Sequence, residues 1–179
     1  MRDRYKILTD EGIYFLTSTI VEWLPVFTKR RYFEIIIDSL NYCMKYKNLE
    51  LYAYVILDNH LHLVAAAENL RSVVASFRKF TSKAIIKQLE LDQMTWLLNQ
   101  LKFYKKAYKT ESRYQVWQEG MHPKYMQSPD MMRQKIEYIH RNPVERGYVQ
   151  QPEHWVYSSA RNYFTEDESI IYVERDWGF

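Results

Sequence analysis

Cysteine, glycine and proline are scarce here: one cysteine, four glycines and five prolines among 179 residues. A lone Cys43 excludes an internal disulfide framework and fits a reducing compartment. So little glycine and proline leaves no material for flexible linkers. We therefore expect one domain over residues 1–179, with an acidic C-terminal tail from about residue 164 that solubilises the surface rather than shielding a site. Long apolar runs are absent too; none approaches the roughly 18 residues a membrane span needs. The N-terminus carries Arg2, Asp3, Arg4, Lys6, Asp10 and Glu11 in place of the apolar core of a secretory signal, so a cytoplasmic location and no membrane partner are expected. Apolar residues are plentiful, at 47% with 26% charged, which is the composition of a globular protein.

Net charge is only +3, but it is unevenly placed. From Arg71 to Thr110 nine lysines and arginines face Glu90 and Asp92, a local balance of +7. From Phe164 to Phe179 five acids face Arg175, a balance of −4. Such asymmetry suits a polyanion-binding face, and equally a solvated helix face.

Aromatic and β-branched residues from Ile13 to Ile20 predict a first strand. Phe33, Ile36, Ile37, Leu40 and Met44 recur at helical spacing, predicting a helix from about Lys29 to Tyr46. Glu50–Leu57 and His60–Ala66 read as an antiparallel pair joined at Asp58-Asn59. Asn69 caps a helix to about Leu91, whose inner face would be Val73, Phe77, Phe80, Ala84 and Ile85, with Lys79, Lys83 and Lys87 lined up on another face beside Arg78. In the basic stretch 92–114, Lys102, Lys105, Lys106 and Lys109 alternate with Phe103, Tyr104 and Tyr108, a pattern that suits single-stranded nucleic acid or a helix packing its rings inward. Tyr114–Trp117 reads as a short strand. Ser128-Pro129-Asp130 starts a helix that should break near Asn142-Pro143.

On a strand, His60 and His62 point the same way, a pair that can grip a divalent metal or simply sit on the strand's wet face. The later helix puts Tyr138 and Asn142 four residues apart on one face, extended by Lys135 and Met131. Asp58-Asn59-His60-Leu61-His62, read with Tyr138-Ile139-His140-Arg141-Asn142-Pro143-Val144-Glu145-Arg146-Gly147, resembles the single-tyrosine transposases of the HUH nuclease superfamily, and within it the REP-associated tyrosine transposases. Trp117-Gln118-Glu119-Gly120 and the segment from Pro152 through Trp155 to Ser159 look like family segments too. The resemblance spans roughly Ile13 to Tyr163.

That resemblance implies an α+β, ferredoxin-like antiparallel sheet with helices packed on it and the two histidines on a central strand. It implies cutting and rejoining of single-stranded DNA, with Tyr138 as nucleophile, and His60, His62 and Asn142 as ligands of Mg²⁺ or Mn²⁺. The implied partner is single-stranded or hairpin DNA, a repetitive extragenic palindrome, bound by a monomer rather than a dimer. Arg78, Lys79, Lys83, Lys87, Lys105, Lys106, Arg141 and Arg146 are the candidate phosphate contacts. Asn142 has a competing role as N-cap of a short helix beginning at Pro143. Two alternatives stand beside the nuclease: a domesticated hairpin-DNA binder with little catalysis, and an unrelated His-x-His metalloenzyme. Trp117 and Trp155 read as packing residues, and His140 is given no role.

Overall fold

The structure, a computed structural model, describes residues 12–165 and 170–178. Along the chain run β1 (Tyr14–Thr19), α1 (Arg30–Lys47), β2 (Glu50–Ile56), β3 (His60–Ala66), α2 (Leu70–Leu91), α3 (Thr95–Phe103), β4 (Lys124–Tyr125), α4 (Pro129–Glu145) and the short α5 (Ala160–Phe164). The strands form one antiparallel sheet in the order β2-β3-β1-β4. Because β3 lies between β1 and β2, the α1 connection crosses over it, as in a ferredoxin-like fold. The chain thus adopts the expected α+β class, with both histidines on an internal strand.

The strands read as near-continuous apolar runs because both faces of the sheet are covered. Tyr14, Leu16, Tyr54, Ile56, Leu61 and Leu63 join the core built with α1 and α2. Phe15, Val55 and Val64 lie on the other face, where Met132, Ile136 and Ile139 of α4 pack. No helix among the described residues is long and apolar enough to cross a membrane.

Four local expectations need correction. The inner face of α2 is Val73, Val74, Phe77, Thr81, Ile85 and Leu89, whereas Phe80 is exposed. At roughly 100° per residue Phe80 falls on the rim. Thr81 takes the inward place and accepts the Trp117 indole N–H at 3.0 Å. Second, 114–117 makes one bridge, Ile20 to Trp117, instead of a strand. β1 has ended at Thr19 and the chain turns away through Val21–Trp23, so no further partner is offered. The outer strand is β4, two residues too few to leave a periodic signal. It lies so near Gly12 (φ +142°) that a Cβ there would approach Tyr125 Cε2 to 2.5 Å.

Third, α4 does not break at Asn142-Pro143. It starts as expected, with the Ser128 hydroxyl accepting the Met131 amide at 3.3 Å, and continues to Glu145 with Pro143 inside. Pro143 sits in the last turn, where its missing N–H leaves a single carbonyl unmatched. Beyond it Gly147 adopts φ +72°, the Tyr148 amide donates to the Pro143 carbonyl at 2.9 Å, and the Gly147 amide donates to Val144 at 2.8 Å. These bonds form a Schellman closure. Asn142 is therefore an interior helical residue whose carbonyl accepts the Arg146 amide at 3.1 Å, and no second helix exists for it to cap. Fourth, the described part of the tail packs instead of merely solubilising the surface. Ile171 and Val173 are buried, and the Glu174 amide donates to Leu51 at 2.8 Å. With Tyr157 accepting from Ile56 at 2.9 Å and Ser159 donating to Tyr54 at 3.0 Å, the outer edge of β2 is covered.

Nothing lies within 4 Å of a Cβ added at Gly147. Gly147→Ala should therefore lower stability through backbone conformation alone, by about 1 kcal/mol in urea unfolding. An unchanged midpoint would contradict the left-handed closure of α4.

Candidate active site

Alternation along β3 turns His60 and His62 toward the α4 face. Directly opposite His62 in the register stands Thr17, and its Oγ1 meets His62 Nδ1 at 2.8 Å. His60 is held by the turn that precedes it: its Nδ1 is 2.7 Å from Asn59 Oδ1, while Asn59 Nδ2 donates to the Trp23 carbonyl at 3.2 Å. A carbonyl only accepts, so the Asn59 amide nitrogen must face Trp23 and its oxygen must face His60. The His60 proton is thereby assigned to Nδ1, leaving the Nε2 lone pair free. The two rings are 4.8 Å apart. His62 Nε2 is buried with no hydrogen-bond partner among the described residues.

Both imidazoles are buried and held neutral. Burial, with a smaller push from Arg146, lowers the pKa of His60 to about 4. Burial, with His60, Lys135 and Arg146 adding, lowers that of His62 to about 3.

α4 roofs this pair. Tyr138 is 47% exposed, yet its ring lies 5.3 Å from His62 and 5.9 Å edge-on to Phe15. One turn on, Asn142 is buried, and it lines the same cleft of about 660 Å³ as Trp23, His60, His62, Tyr138 and Arg146. One turn back, Lys135 Nζ sits 4.7 Å from the centre of the Phe15 ring and 5.2 Å from that of Tyr138. Burial lowers the pKa of Lys135, with Lys124 adding to the effect. The four residues singled out as ligands and nucleophile are thus gathered from β3 and α4 into one cleft.

The candidate phosphate contacts fall in separate places. Arg78, Lys79 and Lys83 line a groove of about 700 Å³ with Lys109 and Tyr114, and Lys87 is exposed further along α2. Part of that charge is engaged: Arg78 donates to the Gln118 carbonyl, and Lys109 pairs with Glu119 at 3.0 Å. Lys105 donates to the Lys109 carbonyl at 2.7 Å, and Lys106 is exposed. Arg141 and Arg146 line the histidine cleft, where Arg141 pairs with Glu145 at 3.2 Å and Arg146 with Asp58 at 3.5 Å. Trp117 and Trp155 are packing residues, as expected; the Trp155 indole donates to Ile56 at 2.9 Å. His140 is buried against Ser159 at 2.8 Å, away from the cleft lining. Thr17, Asn59 and Trp23 were not apparent from sequence. Of these only Asn59 carried a signal, its place beside His60.

No protein-family profile matches the chain, and no curated protein does. Among solved structures, a REP-associated tyrosine transposase bound to a REP hairpin superposes with TM-score 0.68 at 17% identity, over 98% of this chain and 94% of that one. This chain has the fold of that transposase. A candidate transposase from Deinococcus radiodurans aligns over 76% of this chain and 94% of its own, with TM-score 0.45 and 13% identity.

Because the folded values of His60 and His62 lie below the ordinary 6.5, the unfolded chain takes up protons first as pH falls. Stability should be insensitive to these groups above about pH 6.5 and decline from there toward pH 3. Imidazole NMR titration should show both rings neutral down to about pH 5. A midpoint near 6.5 for either would contradict their burial.

Proposed function

We propose that this chain is a metal-dependent single-stranded DNA endonuclease and strand-transferase, a transposase acting on hairpin DNA through a 5′-phosphotyrosine at Tyr138. The observation that carries this reading is the ring of Tyr138 standing 5.3 Å from His62, whose Nε2 is buried without a partner. The transposase fold and the basic groove along α2 support DNA as the substrate, and the REP hairpin held by the solved neighbour supports its folded-back form.

The residues fit a divalent ion. His62 Nε2 is a buried ring nitrogen with no partner among the described residues, His60 Nε2 is freed by Asn59, and Asn142 brings an amide into the same cleft. Among the described residues no three His, Cys, Asp or Glu side chains cluster, so this set of two imidazoles and an amide leaves further positions to water and phosphate oxygen. That donor set is compatible with several divalent ions, and the family resemblance favours Mg²⁺ or Mn²⁺. When bound, such an ion offsets the negative charge that grows on a scissile phosphate.

Tyr138 forms the new bond, from its phenolic oxygen to phosphorus, and the bond from phosphorus to the 3′ oxygen breaks. The phenolic proton passes to solvent, and the departing 3′ oxygen takes one up. Phenol ionises near pH 10, about five units below an alcohol, so only modest activation is needed. Lys135 places an ammonium 5.2 Å from the Tyr138 ring, at the edge of the same cleft. Arg146 and Arg141 border the cleft where phosphate oxygens would lie. One phosphodiester replaces another, so the step is nearly isoenergetic and reverses without a nucleotide cofactor.

Incubating the protein with labelled single-stranded hairpins from the host genome should yield a covalent protein–DNA band on denaturing gels. That band should require Mn²⁺ or Mg²⁺ and vanish with EDTA or in Tyr138→Phe. A shifted native band without any adduct would favour the non-catalytic hairpin binder; an adduct that persists in Tyr138→Phe would displace the nucleophile.

A further inference from the structure

Trp23 has no part in the chemistry above, yet the backbone holds it in a way that asks for a cause. Glu22 and Trp23 both lie in the left-handed region, at φ +50° and +56°, although neither is glycine. Consecutive residues of this kind persist only where neighbouring bonds over-determine them. Here the Trp23 amide donates to Ile20 at 3.0 Å, the Val21 amide donates to Val116 at 2.8 Å, and the Trp23 carbonyl accepts from Asn59 Nδ2 at 3.2 Å. The outcome is an indole that is 52% exposed on the wall of the histidine cleft. Trp117, by contrast, is buried.

Its position relative to the nucleophile is specific. The rings run in the order Trp23, His60, His62, Tyr138, with neighbouring centroids at 5.4, 4.8 and 5.3 Å. Trp23 thus meets the imidazole pair at His60 and Tyr138 meets it at His62. In a displacement at phosphorus the attacking and leaving oxygens lie roughly in line, on opposite sides. With Tyr138 attacking from the His62 side, the nucleotide that departs with the 3′ hydroxyl lies toward the His60 side, where the indole is.

We propose that Trp23 is a stacking platform for the unpaired base immediately 5′ of the scissile phosphate. Any base has a π face, so the platform holds the leaving nucleotide without reading its identity. Asn59 couples it to the imidazole pair, since one amide orients both the His60 ring and the Trp23 carbonyl. The inference rests on the single-stranded DNA reading of the cleft.

Its test is binding, with cleavage disabled. Dissociation constants would be measured with Mn²⁺ by fluorescence anisotropy in the Tyr138→Phe chain, on a host-genome hairpin with a single-stranded flank. An abasic residue would be placed in turn at each flank position, numbered from the cleavage site mapped with the intact chain. Adding Trp23→Ala should weaken binding roughly 5- to 150-fold, the range for losing one stacked base. Trp23→Phe should retain most of the affinity. The abasic residue just 5′ of the cleavage site should reproduce the Trp23→Ala loss, and the two together should lose no more than either alone. Thermal unfolding should be little changed by Trp23→Ala, since the side chain is half exposed. Unchanged affinity in Trp23→Ala, or independent and additive losses, would overturn the platform while leaving the nuclease reading intact. A Tyr138→Phe chain that binds no hairpin at all would overturn that reading, and the platform with it.

Discussion

Two hydrogen bonds behind the histidines decide what this molecule can do. Without Asn59 at His60 Nδ1 and Thr17 at His62 Nδ1, either buried imidazole could flip and present its other nitrogen to the cleft. With those bonds, both rings are fixed by their far side, and burial keeps them neutral. A buried ring nitrogen with no partner, as His62 Nε2 is among the described residues, is unfavourable unless something polar meets it. It lies beneath Tyr138, whose ring stands 5.3 Å from that of His62.

The sheet supplies the rest of the constraint. Thr17 reaches His62 only because β1 and β3 pair antiparallel in a register that sets them face to face. α4 reaches over the pair only because Met132, Ile136 and Ile139 bury against the same face of the sheet. The helix must also run past Pro143, or Asn142 would be drawn out into a cap. The closure at Gly147 and Tyr148 keeps it helical to Glu145 and places Tyr138, Asn142 and Arg146 along one wall.

The four residues gathered in the cleft were legible in the sequence: alternation puts His60 and His62 together, helical spacing puts Tyr138 and Asn142 together, and the resemblance to single-tyrosine transposases links the two pairs. The residues that position them were not. Thr17 acts through a strand register 45 positions away, and Trp23 through a pair of left-handed residues that no periodicity announces. The long elements α1, α2, β2 and β3 were readable because each spans several repeats of its own period. β4, two residues long, was not. Local rules misled where tertiary bonds overrode them. Proline at 143 argued for a break that the Schellman closure prevents, Phe80 argued for a core position that Thr81 takes to meet Trp117, and the acidity of the tail hid Ile171 and Val173, which are buried.

If β3 and α4 together form a metal-binding centre, the folded protein holds an ion on its own. Titration of the protein with Mn²⁺ at neutral pH, followed by electron paramagnetic resonance of the free ion, tests it without reference to DNA or activity. One bound ion per chain is expected, abolished by His62→Ala and weakened roughly 10- to 100-fold by Asn59→Ala, which touches no ion but releases the His60 ring. Binding that survives His62→Ala, or no binding to the folded protein at all, would contradict it.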